Sequence, residues 1–402
     1  MSPSEGEFLE LESFEENPEL LEHLHKLASR INRDLELTLS KVTLRRDEVR
    51  SRLGVRRFEG SPSRFLSVLA VDSTWSIPHL ELVMGSVAVI VAGYVIVAPR
   101  GLGSCGLSFV SLRVSSGDLE GRFTTSLELS AKVKEYVTAL RQLGKDVDLV
   151  MLDGPLYHSM IPEFYTPSRV SDVLWEARRV SGLKLASLAS RALLDLLGKA
   201  DNLNVPVVGV VKRVSSRLLL HKVSDIREVA EILARYNDKL LASLILEPGE
   251  YIVLDSFLES FRRYLELQES KARFQRLLRL ISYCLEAPRE TLEGRLCNYM
   301  DRTAVVFYKH RGLTVTPQAT RLDVYPASRV DDVVAYAMES TTENSVPAPI
   351  DYVDRYVRVE SSTIRRLHQL LRAQAKTLEA YIAQGVTNPQ KRYLYEWWHK
   401  GL

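Results

Sequence analysis

Apolar residues recur along this chain in two rhythms. Leu20, Leu24, Leu27, Ile31 and Leu35 fall three or four residues apart and mark one face of a long helix. Asn17-Pro18-Glu19 supplies its N-cap and first turn. Beyond Gly60-Ser-Pro-Ser63 the rhythm becomes that of strands. Residues 66–72, 82–91, 93–98 and 107–113 predict a meander, with a turn near Ala92-Gly93. A helix follows at roughly 126–143, a strand ending at Asp153, a long helix near 171–199, and a strand from Pro206 to Lys212. Residues 226–300 are helix-rich apart from Tyr251-Ile-Val-Leu-Asp255. Strand character returns at 303–308 and 319–325, and helices close the chain at 360–384. The succession predicts an α/β fold, a mixed sheet flanked by helices. The expected divisions are an acidic leader and helical arm (1–58), a core (59–358) with a helix-rich insertion, and a C-terminal helix with the aromatic tail Arg392–Trp398 (359–402).

Charge changes this picture only locally. The net charge is +2, so bulk charge announces no nucleic-acid partner. Residues 1–22 hold eight Glu and no Lys or Arg, which excludes a secretory leader. Residues 41–57 hold Lys41, Arg45, Arg46, Arg50, Arg52, Arg56 and Arg57 against Asp47 and Glu48. That run is either a solvated helix face or a phosphate-contacting surface. Cys105, Cys284 and Cys297 are too few and too scattered for a disulfide framework or a zinc site, and they fit a reducing interior. Residues 82–98 are uncharged over 17 positions. Their glycines and β-branched residues favour strands over a membrane span. A soluble, cytoplasmic protein with no membrane partner is expected.

Chemistry is suggested at two strand ends. Ser67-Val-Leu-Ala-Val-Asp72 and Leu149-Val-Met-Leu-Asp153-Gly-Pro155 are both apolar runs closed by a carboxylate. An Asp at the rim of a packed sheet needs a partner, and a hard divalent cation suits it. Taken singly, each Asp is also a good turn residue. Gly101-Leu-Gly103-Ser-Cys-Gly106 matches a dinucleotide fingerprint on paper, but strand-like residues follow where that motif needs a helix. No P-loop pattern occurs.

A meander opening on an Asp, then helix, strand, helix, strand, is the order of a ribonuclease H-like nuclease core. Within that class the chain resembles the archaeal NurA nucleases over roughly 60–358. The resemblance rests on Ala70-Val-Asp72-Ser, Leu152-Asp153-Gly154, Gly209-Val-Val-Lys212-Arg-Val-Ser-Ser216, Thr320-Arg-Leu-Asp-Val324 and Val346-Pro-Ala-Pro-Ile-Asp-Tyr-Val-Asp354, in that order. It implies a ribonuclease H-like fold and a homodimer around a channel. It also implies Mn²⁺-dependent degradation of single-stranded DNA and duplex ends, as a 5′–3′ exonuclease and single-strand endonuclease. The implied partner is a HerA-type hexameric ATPase in DNA end resection and break repair.

Carried over by position, Asp72 and Asp153 match metal-binding acids of that family. The acid between them is best matched by Glu128, with Glu120 and Glu135 as other candidates. Thr125-Ser-Leu-Glu128 also reads as a capping box. Lys212 matches the basic residue beside the scissile phosphate, with a surface lysine as the alternative. The family's last motif usually reads Tyr-Pro-x-Pro with a His eight residues after the Tyr. Here Val346 and Asp354 hold those two places, and Asp remains an acceptable ligand. The expected metal set is therefore Asp72, Glu128, Asp153 and Asp354, holding Mn²⁺ or Mg²⁺ for two-metal hydrolysis, with Lys212 on phosphate. The missing Tyr and His leave open a relative that binds DNA or docks on the ATPase with weakened catalysis, and an RNA-directed enzyme is a further rival.

Overall fold

The computed structural model describes residues 18–60, 63–77, 79–99, 101–115, 120–144, 146–157, 181–268, 272–312 and 318–386. Its strands are β1 (Arg56–Arg57), β2 (Val68–Trp75), β3 (Leu80–Leu82), β4 (Gly85–Ala98), β5 (Gly101–Ser115), β6 (Leu149–Asp153), β7 (Val207–Val211), β8 (Glu250–Leu254), β9 (Ala304–Tyr308) and β10 (Thr320–Tyr325). Among the described residues they form one sheet in the order β1-β8-β9-β10-β7-β6-β2-β4-β3, and β5 pairs with the other edge of β4. Its heart is β5-β4-β2-β6-β7, where β2, β6 and β7 run parallel and β4 runs against both neighbours. With the short β1 and β3 set aside, these are the third, second, first, fourth and fifth strands in chain order. That is the ribonuclease H-like arrangement.

The core strands are apolar throughout because both sheet faces are covered. Side chains alternate between faces, so residue parity assigns them. Leu69, Val71, Val150 and Leu152 pack with Tyr136 and Leu143 from the helix Glu120–Gln142, and with Leu193 and Leu197 from the helix Ser181–Leu203. Val68, Ala70, Leu149, Met151, Val208 and Val210 face the other way, onto Val333 and Val334 of Val330–Ser340 and onto Ile350, Val353 and Val357 of Ala348–Val357. Ile350 and Val353 are fully buried, and each contributes about 1.5–3 kcal/mol to seating that last helix.

Several expectations need correction. No turn occurs at Ala92-Gly93, since β4 runs unbroken through both. Gly93 serves close packing instead: a Cβ there would stand 2.9 Å from Gly106 O and 2.9 Å from a Val357 methyl. As expected, no dinucleotide-binding turn forms at Gly101, Gly103 and Gly106, but these glycines lie in strand β5 and not in a loop. The Thr125–Glu128 capping box fails because the helix already begins at Glu120, leaving those residues inside it. Within the helix-rich segment, β8 joins the common sheet between β1 and β9. Cys297 is disulfide-bonded, against the reading of reduced thiols, while Cys105 is free and exposed. The aromatic tail, most of the acidic leader and the stretch 171–180 lie outside the described residues.

The basic run is a clamp. Arg46 pairs with Glu247, Arg52 with Asp225 at 2.6 Å, and Arg45 with Glu228 at 3.7 Å. Arg50 grips the buried Glu250 with two bonds of 2.7 and 2.8 Å. Most of this positive charge is therefore spent on binding the N-terminal arm to the helix-rich segment. Further out, the helix Pro18–Leu44 leaves Leu20, Leu24, Leu27 and Ile31 all at least half exposed, an apolar stripe along one face. Among the described residues no helix is long and apolar enough to cross a membrane.

Candidate metal centre

Against the expectation that its strand stops at Asp72, β2 continues to Trp75 along β4, and only Asp153 closes its strand; register and parity bring the two acids together. Val71 lies opposite Leu152 in the parallel pair β2–β6, so Asp72 and Asp153 are adjacent at the same sheet edge. Both share the parity of Val68, Ala70, Leu149 and Met151, and so emerge on the face covered by Ala348–Val357. Asp153 is in turn opposite Val210 in β7, two residues before Lys212. Asp354 comes down onto this edge from the last turns of Ala348–Val357, held by Ile350, Val353 and Val357.

The carboxylates of Asp72, Asp153 and Asp354 present oxygen atoms that all lie within 4.8 Å of one another. They grade from floor to mouth: Asp72 is 5% exposed and the Asp354 side chain 51%. The Lys212 ammonium lies between two of them, 3.0 Å from Asp153 Oδ2 and 2.9 Å from Asp354 Oδ1. Three carboxylates and one ammonium leave this edge with surplus negative charge. Burial, then repulsion from Asp153 and Glu135, pushes the Asp72 carboxyl well above the usual carboxylate range. Burial pulls the Lys212 ammonium down, but Asp153 and Asp354 outweigh it and the group stays protonated more firmly than usual. An all-carboxylate oxygen set with an unbalanced, partly buried charge is the donor set that hard divalent cations take. The residues present therefore fit the ion.

The sequence-predicted residues divide accordingly. Asp72, Asp153, Asp354 and Lys212 converge, whereas Glu128, half-buried on its helix, is not part of the carboxylate group. The side chain of Glu120 lies outside the described residues. Glu135, seven residues after Glu128 and on the same helix stripe, is the acid that comes near. Its fully buried carboxylate accepts from Ser73 Oγ at 2.9 Å and from Lys132 Nζ at 2.9 Å. Lys132 donates as well to the backbone carbonyl of Asp153, stitching helix to strand end. Burial pushes Glu135 up to about 7, with Lys132 opposing the shift and Asp153 adding to it. The signal available in sequence was the heptad spacing, which offers two Glu on one face without saying which lies level with Ser73. Asp255 is exposed, and Asp323, fully buried, is engaged by Arg321 at 2.8 Å. Val346 is buried and brings no hydroxyl. Tyr352 stands half exposed on the final helix.

Comparison with known proteins places the fold and the family. The NurA domain family matches residues 66–359. In three dimensions the chain is similar to the NurA nuclease from Sulfolobus solfataricus, at 11% identity, covering 89% of this chain and 96% of that one, with a TM-score of 0.57. It is also similar to a NurA bound to dAMP and manganese, at 10% identity, 89% and 99% coverage and a TM-score of 0.52. A third is a NurA with manganese, at 11% identity, 87% and 99% coverage and a TM-score of 0.50. No curated protein matches the chain in sequence. With the family match spanning most of the sequence and the acids meeting at the edge of a ribonuclease H-like sheet, the chain belongs to the NurA family.

Proposed function

We propose that this protein is a divalent-metal-dependent DNA nuclease of NurA type. The observation that carries the reading is the convergence of Asp72, Asp153 and Asp354 within 4.8 Å, in a chain of that family. Asp72 and Asp153 hold the ion from the sheet and Asp354 closes the set from the helix. Glu135 is the fourth acid, brought to the site through Ser73. Mn²⁺, found with similar NurA chains, is the expected ion, with Mg²⁺ as a substitute. When bound, such ions polarise the phosphodiester, lower the pKa of water and offset charge on the leaving oxygen. Lys212, standing at the open side between Asp153 and Asp354, donates to a phosphate oxygen of the bound strand. The backbone is read through charge, so binding is salt-dependent and tolerant of sequence.

The family resemblance further supports a homodimer and a HerA-type ATPase as partner in DNA end resection, within the cytoplasm. The uncovered stripe Leu20–Ile31 suits burial against a second copy. A second reading, binding without cleavage, is motivated by Val346 in the place of the family's Tyr. Against it stands Asp354, which takes the family's His position and joins the acids. Cleavage of DNA strands with Mn²⁺ and in EDTA separates the two: activity in Mn²⁺ alone supports the nuclease, and inactivity in both supports the binding protein. A matched RNA strand, cut faster than the DNA, would point to the RNA-directed rival.

A further inference from the structure

Asp153 and Lys212 sit at the ends of short strands, where the chain leaves the sheet. What fixes them there lies on the opposite sheet face. Arg321 and Asp323 are two residues apart on β10 and so share a side, away from the carboxylate group. Both are buried, at 5% and 0% exposure. Arg321 Nε donates to Asp323 Oδ1 at 2.8 Å, leaving Oδ2 to accept from the backbone N–H of Leu156 at 3.2 Å. The same guanidinium donates through an NH group to Ser216 Oγ at 2.9 Å. That hydroxyl donates to Asp238 at 2.7 Å, and the Asp238 carboxylate also accepts from the backbone N–H groups of Leu218 and Leu219. One ion pair thus holds the turn that follows Asp153 and the loop that follows Lys212.

The fit is close. Asp323 pairs in register with Gly209 of β7, and a Cβ on Gly209 would stand 2.7 Å from Gly154 O and 2.9 Å from Leu156 N. Only glycine lets the turn lie flat against β7, and Asp323 reaches past it to the Leu156 N–H. A buried ion pair is a costly way merely to fill a core, because desolvation offsets its attraction and apolar residues pack as well. Here its unusual product is a fixed distance between two loops.

We propose that Arg321 and Asp323 are positioning residues which set the spacing of Asp153 and Lys212, and so the metal affinity of the carboxylate group. The proposal rests on the reading of that group as a divalent-ion site. Neither residue touches substrate or ion, and the effect passes through Leu156 and Ser216.

The test is calorimetric titration of the full chain with MnCl₂ alone, together with thermal melts. Asp323→Asn keeps the shape and an acceptor but loses the charge. Ser216→Ala removes one hydroxyl and leaves the ion pair, so it remains informative where Asp323→Asn does not fold. Arg50→Ala serves as control: it breaks the half-buried Arg50–Glu250 pair at the far end of the sheet. Folded Asp323→Asn and Ser216→Ala are expected to bind Mn²⁺ about tenfold more weakly, the scale of outer-shell partners, while Arg50→Ala lowers the melting temperature with unchanged Mn²⁺ affinity. Wild-type affinity in both site-side variants overturns the positioning role alone. Absence of Mn²⁺ binding in the unmodified chain overturns the site reading and this proposal with it.

Discussion

Lys212 Nζ lies 2.9 Å from Asp354 Oδ1, tying the end of β7 to the helix Ala348–Val357. The bond crosses from one chain segment to another 142 residues away, and it closes the open side of the carboxylate group. In the proposed site Asp354 supplies a hard oxygen and an added negative charge where the family resemblance implies a borderline nitrogen ligand, a His. Asp354→Ala should raise the metal concentration for half-maximal cleavage about tenfold, or ~1.4 kcal/mol. Asp354→His should restore Mn²⁺-supported activity in part. A metal titration unchanged in Asp354→Ala would remove this residue from the site.

The fourth acid can be assigned by a paired substitution. Glu135→Gln removes a charge that acts on Asp72 and should cut Mn²⁺-dependent cleavage about tenfold or more. Glu128→Gln, on the same helix stripe but outside the carboxylate group, should stay near the unmodified rate. Steady-state cleavage by the two variants checks this, and the reverse ranking would return the role to Glu128.

Without metal, the acids make stability depend on pH. Glu135 rises to about 7 and Asp72 also rises, both chiefly through burial. In the unfolded chain both ionise near pH ~4, so between about pH 4 and 7 the folded state binds more protons. The contribution of Glu135 is therefore complete below pH ~4 and is lost as pH climbs through about 7, and Asp72 acts in the same direction. In EDTA the melting temperature should fall from pH 5 to 7.5, and the stabilisation by added Mn²⁺ should grow over the same range. A metal effect that shrinks with rising pH would contradict the shifts.

The helix Pro18–Leu44 offers Leu20, Leu24, Leu27 and Ile31 to solvent along one face. Sedimentation should show a dimer at micromolar concentration, and Leu24→Glu with Leu27→Glu should shift it towards monomer. A monomer in the unmodified chain would exclude the dimer.

Much of this was legible in the residues. Apolar runs closed by Asp72 and Asp153 gave both strands, although β2 runs on to Trp75 because its pairing with β4 continues past the acid, and the NurA-like order of motifs gave Lys212 and Asp354. What was not legible depended on contacts distant in sequence. Gly93 looked like a turn because its purpose lies in Val357, 264 residues on, whose methyl leaves no room for a Cβ. Glu128 looked better than Glu135 because helical spacing names a face but not a level along it. The level is set by Ser73, which meets Glu135 at 2.9 Å. The run Arg45–Arg52 looked available to phosphate because Glu228, Glu247, Glu250 and Asp225, its partners, come from a remote segment.

The central claim is that Asp72 and Asp153, on adjacent parallel strands, hold the ion that cuts DNA. Asp72→Asn and Asp153→Asn each remove a charge at nearly constant volume, so the fold should survive, as circular dichroism can verify. The decisive measurement is the rate of Mn²⁺-dependent DNA cleavage by these folded variants. The account predicts a loss of about a hundredfold or more in each, ~2.7 kcal/mol or above in the barrier. Near-native cleavage by either variant would contradict it.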